Sequence, residues 1–156
     1  MDLALVSGNG PDKLTNINFL KPYIAEQDIF AVGNRYLQKD YVKLITDSNI
    51  NYHDLHCLRK TGIENITGKF LEKVKTDNLD GFWIHLDLDV LENELMPCVD
   101  SPQPGGLSYT ELNLMVKLLL QSPVAKGMDI TIFDPDLDVE GIYAKKLISE
   151  FFTQIS

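Results

Sequence analysis

Cysteine is scarce in this chain: Cys57 and Cys98 are the only two among 156 residues. Two thiols cannot build a disulfide framework, so both are expected to be reduced and partly buried. Long apolar runs are missing as well, and none approaches the roughly 18–20 residues a bilayer-spanning helix needs. No charged stretch followed by a short apolar one opens the sequence, so no leader is expected and the cytoplasm is the expected compartment. Positive charge is the third shortage. Fourteen Lys and Arg face twenty-three Asp and Glu, a net charge of −9. Nucleic acids and anionic membrane surfaces are recognised through basic patches, so neither is an expected partner.

What remains suits a packed globular protein. Apolar residues make up 44% of the chain, and a chain of this length can bury roughly two-thirds of its unfolded surface. Asp28 to Gly33 reads as a buried strand, Tyr36 to Asp47 as a helix, and Asn49 to His53 as a short strand. Ile66, Phe70 and Val74 carry helical spacing within Ile63 to Lys75. Gly81 to Val90 reads as a third strand, Gly127 to Phe133 as a fourth, and Ile142 to Phe152 as a last amphipathic helix. Between the last two strands, Ser108 and Glu111 form a capping box ahead of Leu112, Leu114, Met115 and Leu118. Strands alternating with helices of this length imply an α/β fold, three layers with a mostly parallel sheet and helices on both faces. No linker divides it, so residues 1–156 are expected to form a single α/β domain.

The chemistry concentrates in Trp83-Ile84-His85-Leu86-Asp87-Leu88-Asp89-Val90-Leu91. Apolar residues alternate here with His85, Asp87 and Asp89, which at strand period puts the histidine and both carboxylates on one face. Two aspartates so close repel each other in a dry setting, and a divalent cation offsets that cost. A strand end dipping into solvent, with both carboxylates hydrated, is the other reading. Asp134 and Asp136 fall just beyond the fourth strand, near the carboxyl edge where α/β sheets bind ligands. Asp134-Pro135-Asp136-Leu137-Asp138 equally suits a solvated turn, and Asp129 suits a strand carboxylate that accepts backbone hydrogen bonds.

After this strand come Asp100-Ser101-Pro102-Gln103-Pro104-Gly105-Gly106-Leu107-Ser108, a helix, and Gly127-Met128-Asp129-Ile130-Thr131-Ile132-Phe133-Asp134-Pro135. This order of D-x-D, P-G-G-L-S, helix and G-M-D-I resembles the C-terminal half of the arginase/agmatinase/formiminoglutamase (ureohydrolase) family. The resemblance implies an arginase-like fold with its N-terminal part missing. It also implies a hydrolase of C–N bonds in linear amidines, acting on small guanidino or formimino substrates. Two manganese ions activate a bridging water in that family, and the D-x-D carries over to Asp87 and Asp89 as metal ligands, with His85 in a supporting or structural role. The loop Asp100 to Ser108 corresponds to a wall of the site.

Departures accompany the resemblance. The family's D-x-D-x-x-D-P ends here in Glu92-Asn93. Ile132 stands where a carboxylate grips the substrate guanidinium, and Gly33-Asn34-Arg35-Tyr36 lacks the acid of G-x-R-D. The G-G-D-H and D-A-H-x-D segments do not occur in this sequence. His53 and His56 are the candidate replacements, although Tyr52 to His56 reads as a strand end entering a surface loop. Met1 to Gly8 resembles the helix following D-A-H-x-D. A sheet lacking that strand must pair its first and third strands directly, leave a gap, or recruit a partner, a homo-oligomer among the candidates. Two other functions fit parts of the pattern. One is a non-catalytic remnant or interaction module. The other is a magnesium-dependent phosphatase using the D-x-D strand, with Lys126 and Asp134/Asp136 poorly spaced for it.

Overall fold

The computed structural model describes residues 2–36 and 38–155; Met1 and Leu37, within two of the expected segments, lie outside the described residues. The chain forms two compact units, Met1–Asp54 and Leu55–Ser156. Helices alternate with parallel strands, as the sequence pattern implies.

In the first unit, α1 (Asp2–Val6) and α2 (Asp12–Thr15) precede β1 (Phe30–Val32), α3 (Lys39–Thr46) and β2 (Asn51–His53). β1 and β2 pair in parallel, Phe30 opposite Asn51 and Val32 opposite His53. The pairing extends at both ends, through Asn51 N–H to the Ile29 carbonyl at 2.9 Å and Gly33 N–H to the His53 carbonyl at 3.0 Å. The side-chain amide of Asn51 also donates to the Gln27 carbonyl at 2.8 Å, fixing where β1 begins.

The second unit holds α4 (Leu55–Thr61), α5 (Ile63–Thr76), β3 (Phe82–Asp87), α6 (Tyr109–Leu120), β4 (Ala125–Thr131), α7 (Ile142–Leu147) and α8 (Thr153–Ile155). β3 and β4 are parallel neighbours joined through α6, with His85 opposite Asp129 and Asp87 opposite Thr131. The alternation of β3 sends Leu86 into a core that includes Leu58, Leu88, Leu91, Val99, Leu112, Val116 and Phe151. Phe70 of α5 meets Phe82 edge to face, ring centroids 4.9 Å apart. The capping box forms as expected: Ser108 Oγ accepts from Glu111 N–H at 3.2 Å, and Glu111 Oε2 accepts from Ser108 N–H at 2.8 Å.

Four local expectations need correction. The third strand ends at Asp87 and not Val90, because Leu88–Val90 closes a 3-10 turn. Leu88 and Leu91 are both buried, and the turn lays Leu91 beside Leu107, with Glu92 N–H on the Leu107 carbonyl at 2.9 Å. The fourth strand runs from Ala125 to Thr131, and Ile132 then adopts φ 73°. That reversal brings Phe133 antiparallel to Val99 and Asp134 N–H onto the Cys98 carbonyl at 2.8 Å. The last helix widens into a π turn at Ile148–Phe152. Leu55 and His56, expected where a strand end enters a loop, instead open the helix Leu55–Thr61, with Leu55 and Leu58 buried.

One residue does two jobs in this unit. Glu111 caps α6 and also accepts from Arg59 Nε at 2.8 Å. Hydrogen bonds from Arg59 hold its carboxyl at about 2, against burial, with Ser108 helping. Because the folded value lies below the ordinary 4.5, this stabilisation is complete above that pH and is lost as pH falls towards 2. Glu111→Ala is therefore expected to cost about 1–2 kcal/mol near pH 7, a cap plus a partly exposed ion pair. Urea unfolding checks it, and the gap between the two proteins should close in acid.

Candidate functional site

β3 and β4 run side by side, so one face of the pair carries Trp83, His85 and Asp87 from β3 with Gly127, Asp129 and Thr131 from β4. Glycine at 127 is what lets the Trp83 ring cross the pair, since a Cβ there would sit 2.4 Å from that ring. Trp83 Nε1–H donates to Asp129 Oδ1. The other oxygen, Asp129 Oδ2, lies 2.6 Å from His85 Nδ1. The opposite ring nitrogen, Nε2, lies 3.3 Å from Asp87 Oδ1, which also accepts from the Thr131 hydroxyl. Trp83, Asp129, His85, Asp87 and Thr131 thus form one continuous polar chain across the strand pair. Burial works to raise the Asp129 carboxyl, but the bonds from Trp83 and His85 outweigh it and hold the group below its ordinary value.

The sequence places His85, Asp87 and Asp89 on one face. The structure keeps His85 and Asp87 together there, and Asp89 follows in the 3-10 turn. Asp87 ends β3, at the carboxyl edge where α/β folds place their chemistry. The other candidates have structural work. Asp134 Oδ1 accepts from Asp136 N–H at 2.9 Å and caps the short turn between them. Asp138 is buried, and its two oxygens accept from Tyr143 N–H at 3.1 Å and Ala144 N–H at 2.8 Å, securing the start of α7. Burial acts to raise its carboxyl, and backbone N–H groups of Ala144, Tyr143 and Ile142 bring it below the ordinary range. His53 ends β2 with its ring against Phe30, centroids 5.8 Å apart, and His56 is an exposed residue of α4.

Sequence reasoning missed how the Asp100–Ser108 loop is held. Arg59 of α4 donates through Nη2 to the Gly106 carbonyl at 2.8 Å and through Nη1 to the Gly105 carbonyl at 3.3 Å. Glu92, where the family motif has aspartate, accepts from Gly105 N–H at 2.8 Å through Oε2. Nothing local in the sequence joins Arg59 to this loop.

The donor set decides how much of a metal centre belongs here. Among the described residues, no three His, Cys, Asp or Glu side chains converge to hold an ion. A closed two-metal centre does not fit these residues alone. What they present is a carboxylate oxygen and an imidazole nitrogen side by side, Asp87 Oδ1 and His85 Nε2 3.3 Å apart.

The Arginase family profile matches residues 7–154. The chain belongs to the arginase family. Arginase of Staphylococcus aureus (strain COL) is 32% identical over 151 residues, covering 96% of this chain and 49% of that protein. The arginase structure from Bacillus caldovelox superposes with a TM-score of 0.84 at 27% identity, covering 96% of this chain and 50% of that one. Formimidoylglutamase from Bacillus subtilis matches with a TM-score of 0.68 at 26% identity, over 84% of this chain and 42% of that one. The chain spans about half the length of the curated arginases it matches, and its α/β fold is that half of the arginase fold.

Proposed function

We propose that this chain carries the carboxylate half of an arginase-family hydrolase, which cleaves C–N bonds in linear amidines with manganese. The observation that carries this reading is Asp87 at the end of β3 with Asp89 two residues on, in a chain that belongs to the arginase family. Bound manganese would supply an activated water. Asp87 and Asp89 would contribute carboxylate ligands, and Arg59 and Glu92 would hold the neighbouring loop in place. Substrates in this class are small guanidino or formimino compounds. Ile132 disfavours arginine or agmatine, because an apolar side chain cannot offset a guanidinium.

A coordination shell supplied by Asp87 and Asp89 alone is incomplete. The isolated chain is therefore expected to show no meaningful hydrolysis of arginine, agmatine or formiminoglutamate with Mn²⁺ present. Fusing the N-terminal half of a family arginase ahead of it should produce manganese-dependent urea, ammonia or formamide release. Robust turnover by the isolated chain contradicts the half-site view. A folded fusion that binds metal and turns over nothing points to the non-catalytic reading, and phosphate release from a phosphomonoester points to the phosphatase.

A further inference from the structure

Ten asparagines occur in this chain, and Asn9 is the one followed by glycine. The side-chain carbonyl carbon of an asparagine can be attacked by the amide nitrogen of the next residue, closing a cyclic imide. The side chain of that next residue decides how readily the two atoms meet. Asn16, Asn49 and Asn65 precede isoleucine, whose branched Cβ is stiff and crowds the approach. Gly10 has no Cβ to obstruct it, and it reaches backbone conformations that other residues resist.

The local structure presents this pair to solvent. α1 ends at Gly8, with φ 88°. Gly8 N–H bonds the Leu5 carbonyl at 3.1 Å and Asn9 N–H the Ala4 carbonyl at 2.7 Å, the paired bonds that close a helix on a left-handed glycine. Asn9 and Gly10 follow, both exposed. Among the described residues no acceptor holds the Gly10 N–H, so loss of its proton breaks no hydrogen bond. The Asn9 amide nitrogen donates to Ser7 Oγ at 3.1 Å and to Glu26 Oε1 at 3.5 Å. Both bonds engage the nitrogen that leaves, while water can solvate the amide oxygen on which charge builds as the ring closes.

We propose that Asn9-Gly10 is a self-modification site whose conversion releases Glu26. Gly10 N bonds to Asn9 Cγ, the Cγ–Nδ2 bond breaks, and ammonia leaves. Water then opens the imide at either carbonyl, leaving aspartate or isoaspartate at position 9. One water enters and one ammonia departs, with no change of oxidation state. The consequence falls on Glu26, which joins Asn9 through Oε1 to Asn49 through Oε2. That second oxygen accepts from Asn49 N–H at 3.0 Å and from Asn49 Nδ2 at 3.5 Å, tying the end of α1 to the turn before β2. A carboxylate at position 9 has no proton to donate, and it repels Glu26 as a like charge in contact.

Peptide mapping of the full chain, aged in ¹⁸O water at mildly alkaline pH, tests this. Asn9 should convert ahead of every other asparagine, to both aspartate and isoaspartate, each carrying ¹⁸O in its new carboxyl. Gly10→Ala should slow the conversion about tenfold, the effect of about 1.4 kcal/mol added to the barrier. A Cβ at Gly10 would lie 2.8 Å from Leu5 Cδ2, so Asn9→Gln is the second variant. It keeps an amide but must close a larger ring, and should give no product over the same course. In the converted chain, and in Asn9→Asp, the Asn49 N–H should exchange with solvent faster than in the fresh chain. An Asn9 amide that survives while other asparagines convert overturns the site. Aspartate without isoaspartate means direct hydrolysis and overturns the ring closure. Asn49 exchange left unchanged by complete conversion overturns the release of Glu26.

Discussion

Gly106→Ala is expected to destabilise the second unit by about 3 kcal/mol, near the upper end of overpacking costs. A Cβ at this position would stand 2.3 Å from both the carbonyl carbon and oxygen of Leu91 and 2.5 Å from Glu92 N. All three atoms are backbone, so no side-chain rotation relieves the clash. The loop would have to lift away, breaking the Leu107 N–H to Val90 and Glu92 N–H to Leu107 bonds, now 2.8 and 2.9 Å. It would also draw the Gly106 carbonyl from Arg59 Nη2. Gly105→Ala is the matched control. Its Cβ would meet nothing within 4 Å, and the only penalty is its φ of +84°, worth about 1 kcal/mol. Urea unfolding of the two variants separates steric exclusion from backbone strain. Equal losses in both would mean that close approach to Leu91 is not what selects glycine at 106. In a protein whose whole stability is about 5–15 kcal/mol, a 3 kcal/mol loss is also visible in expression.

That contrast bears on what could be read from sequence. Gly105-Gly106 was legible as a turn, but which glycine answers to a positive φ and which to a close approach depends on Leu91, which lies in another segment. Features set by a few neighbouring residues were legible in full. The Ser108–Glu111 capping box is complete within four positions, and the alternation of Trp83 to Asp87 follows from one strand period. Features set by distant partners were not. Arg59 and Glu111 are 52 positions apart, and an arginine between the expected elements signals nothing about a carboxylate so far along the chain. Asp89 left the strand face because Leu88 and Leu91 both seek the core, a demand that overrides alternation once the strand nears its end. Ile132 carried no warning of a left-handed backbone either, since a β-branched residue is among the least suited to it. Its φ of 73° is maintained by the bonding of Phe133 and Asp134 to Val99 and Cys98. The candidate site divides the same way. Asp87 and Asp89 came from a short motif, whereas the bridge from Asp129 through His85 to Asp87 needs the register of β3 against β4.

The largest functional effect should come from replacing both aspartates of the motif with asparagine. Asn has nearly the same shape as Asp, and its Oδ1 can still accept the Thr131 hydroxyl bond that Asp87 makes, so the strand pair should survive. The negative charge does not survive, and charge is what a hard divalent ion selects; a neutral amide oxygen is a much weaker donor. Asp87→Asn with Asp89→Asn should therefore abolish the weak Mn²⁺ binding, which in the unaltered chain is expected at about the upper micromolar to millimolar level of sites with few ligands. The single variants locate the loss. Asp87→Asn should account for most of it, because Asp87 lies beside His85 and ends the strand, while Asp89→Asn should have a smaller effect from its turn. Mn²⁺ binding followed by electron paramagnetic resonance, with far-ultraviolet circular dichroism to confirm folding, gives a direct readout. A folded double variant that binds Mn²⁺ as the unaltered chain does would remove the D-x-D from any metal role. Tight binding of two Mn²⁺ ions by the unaltered chain would instead show that donors beyond Asp87 and Asp89 complete the shell.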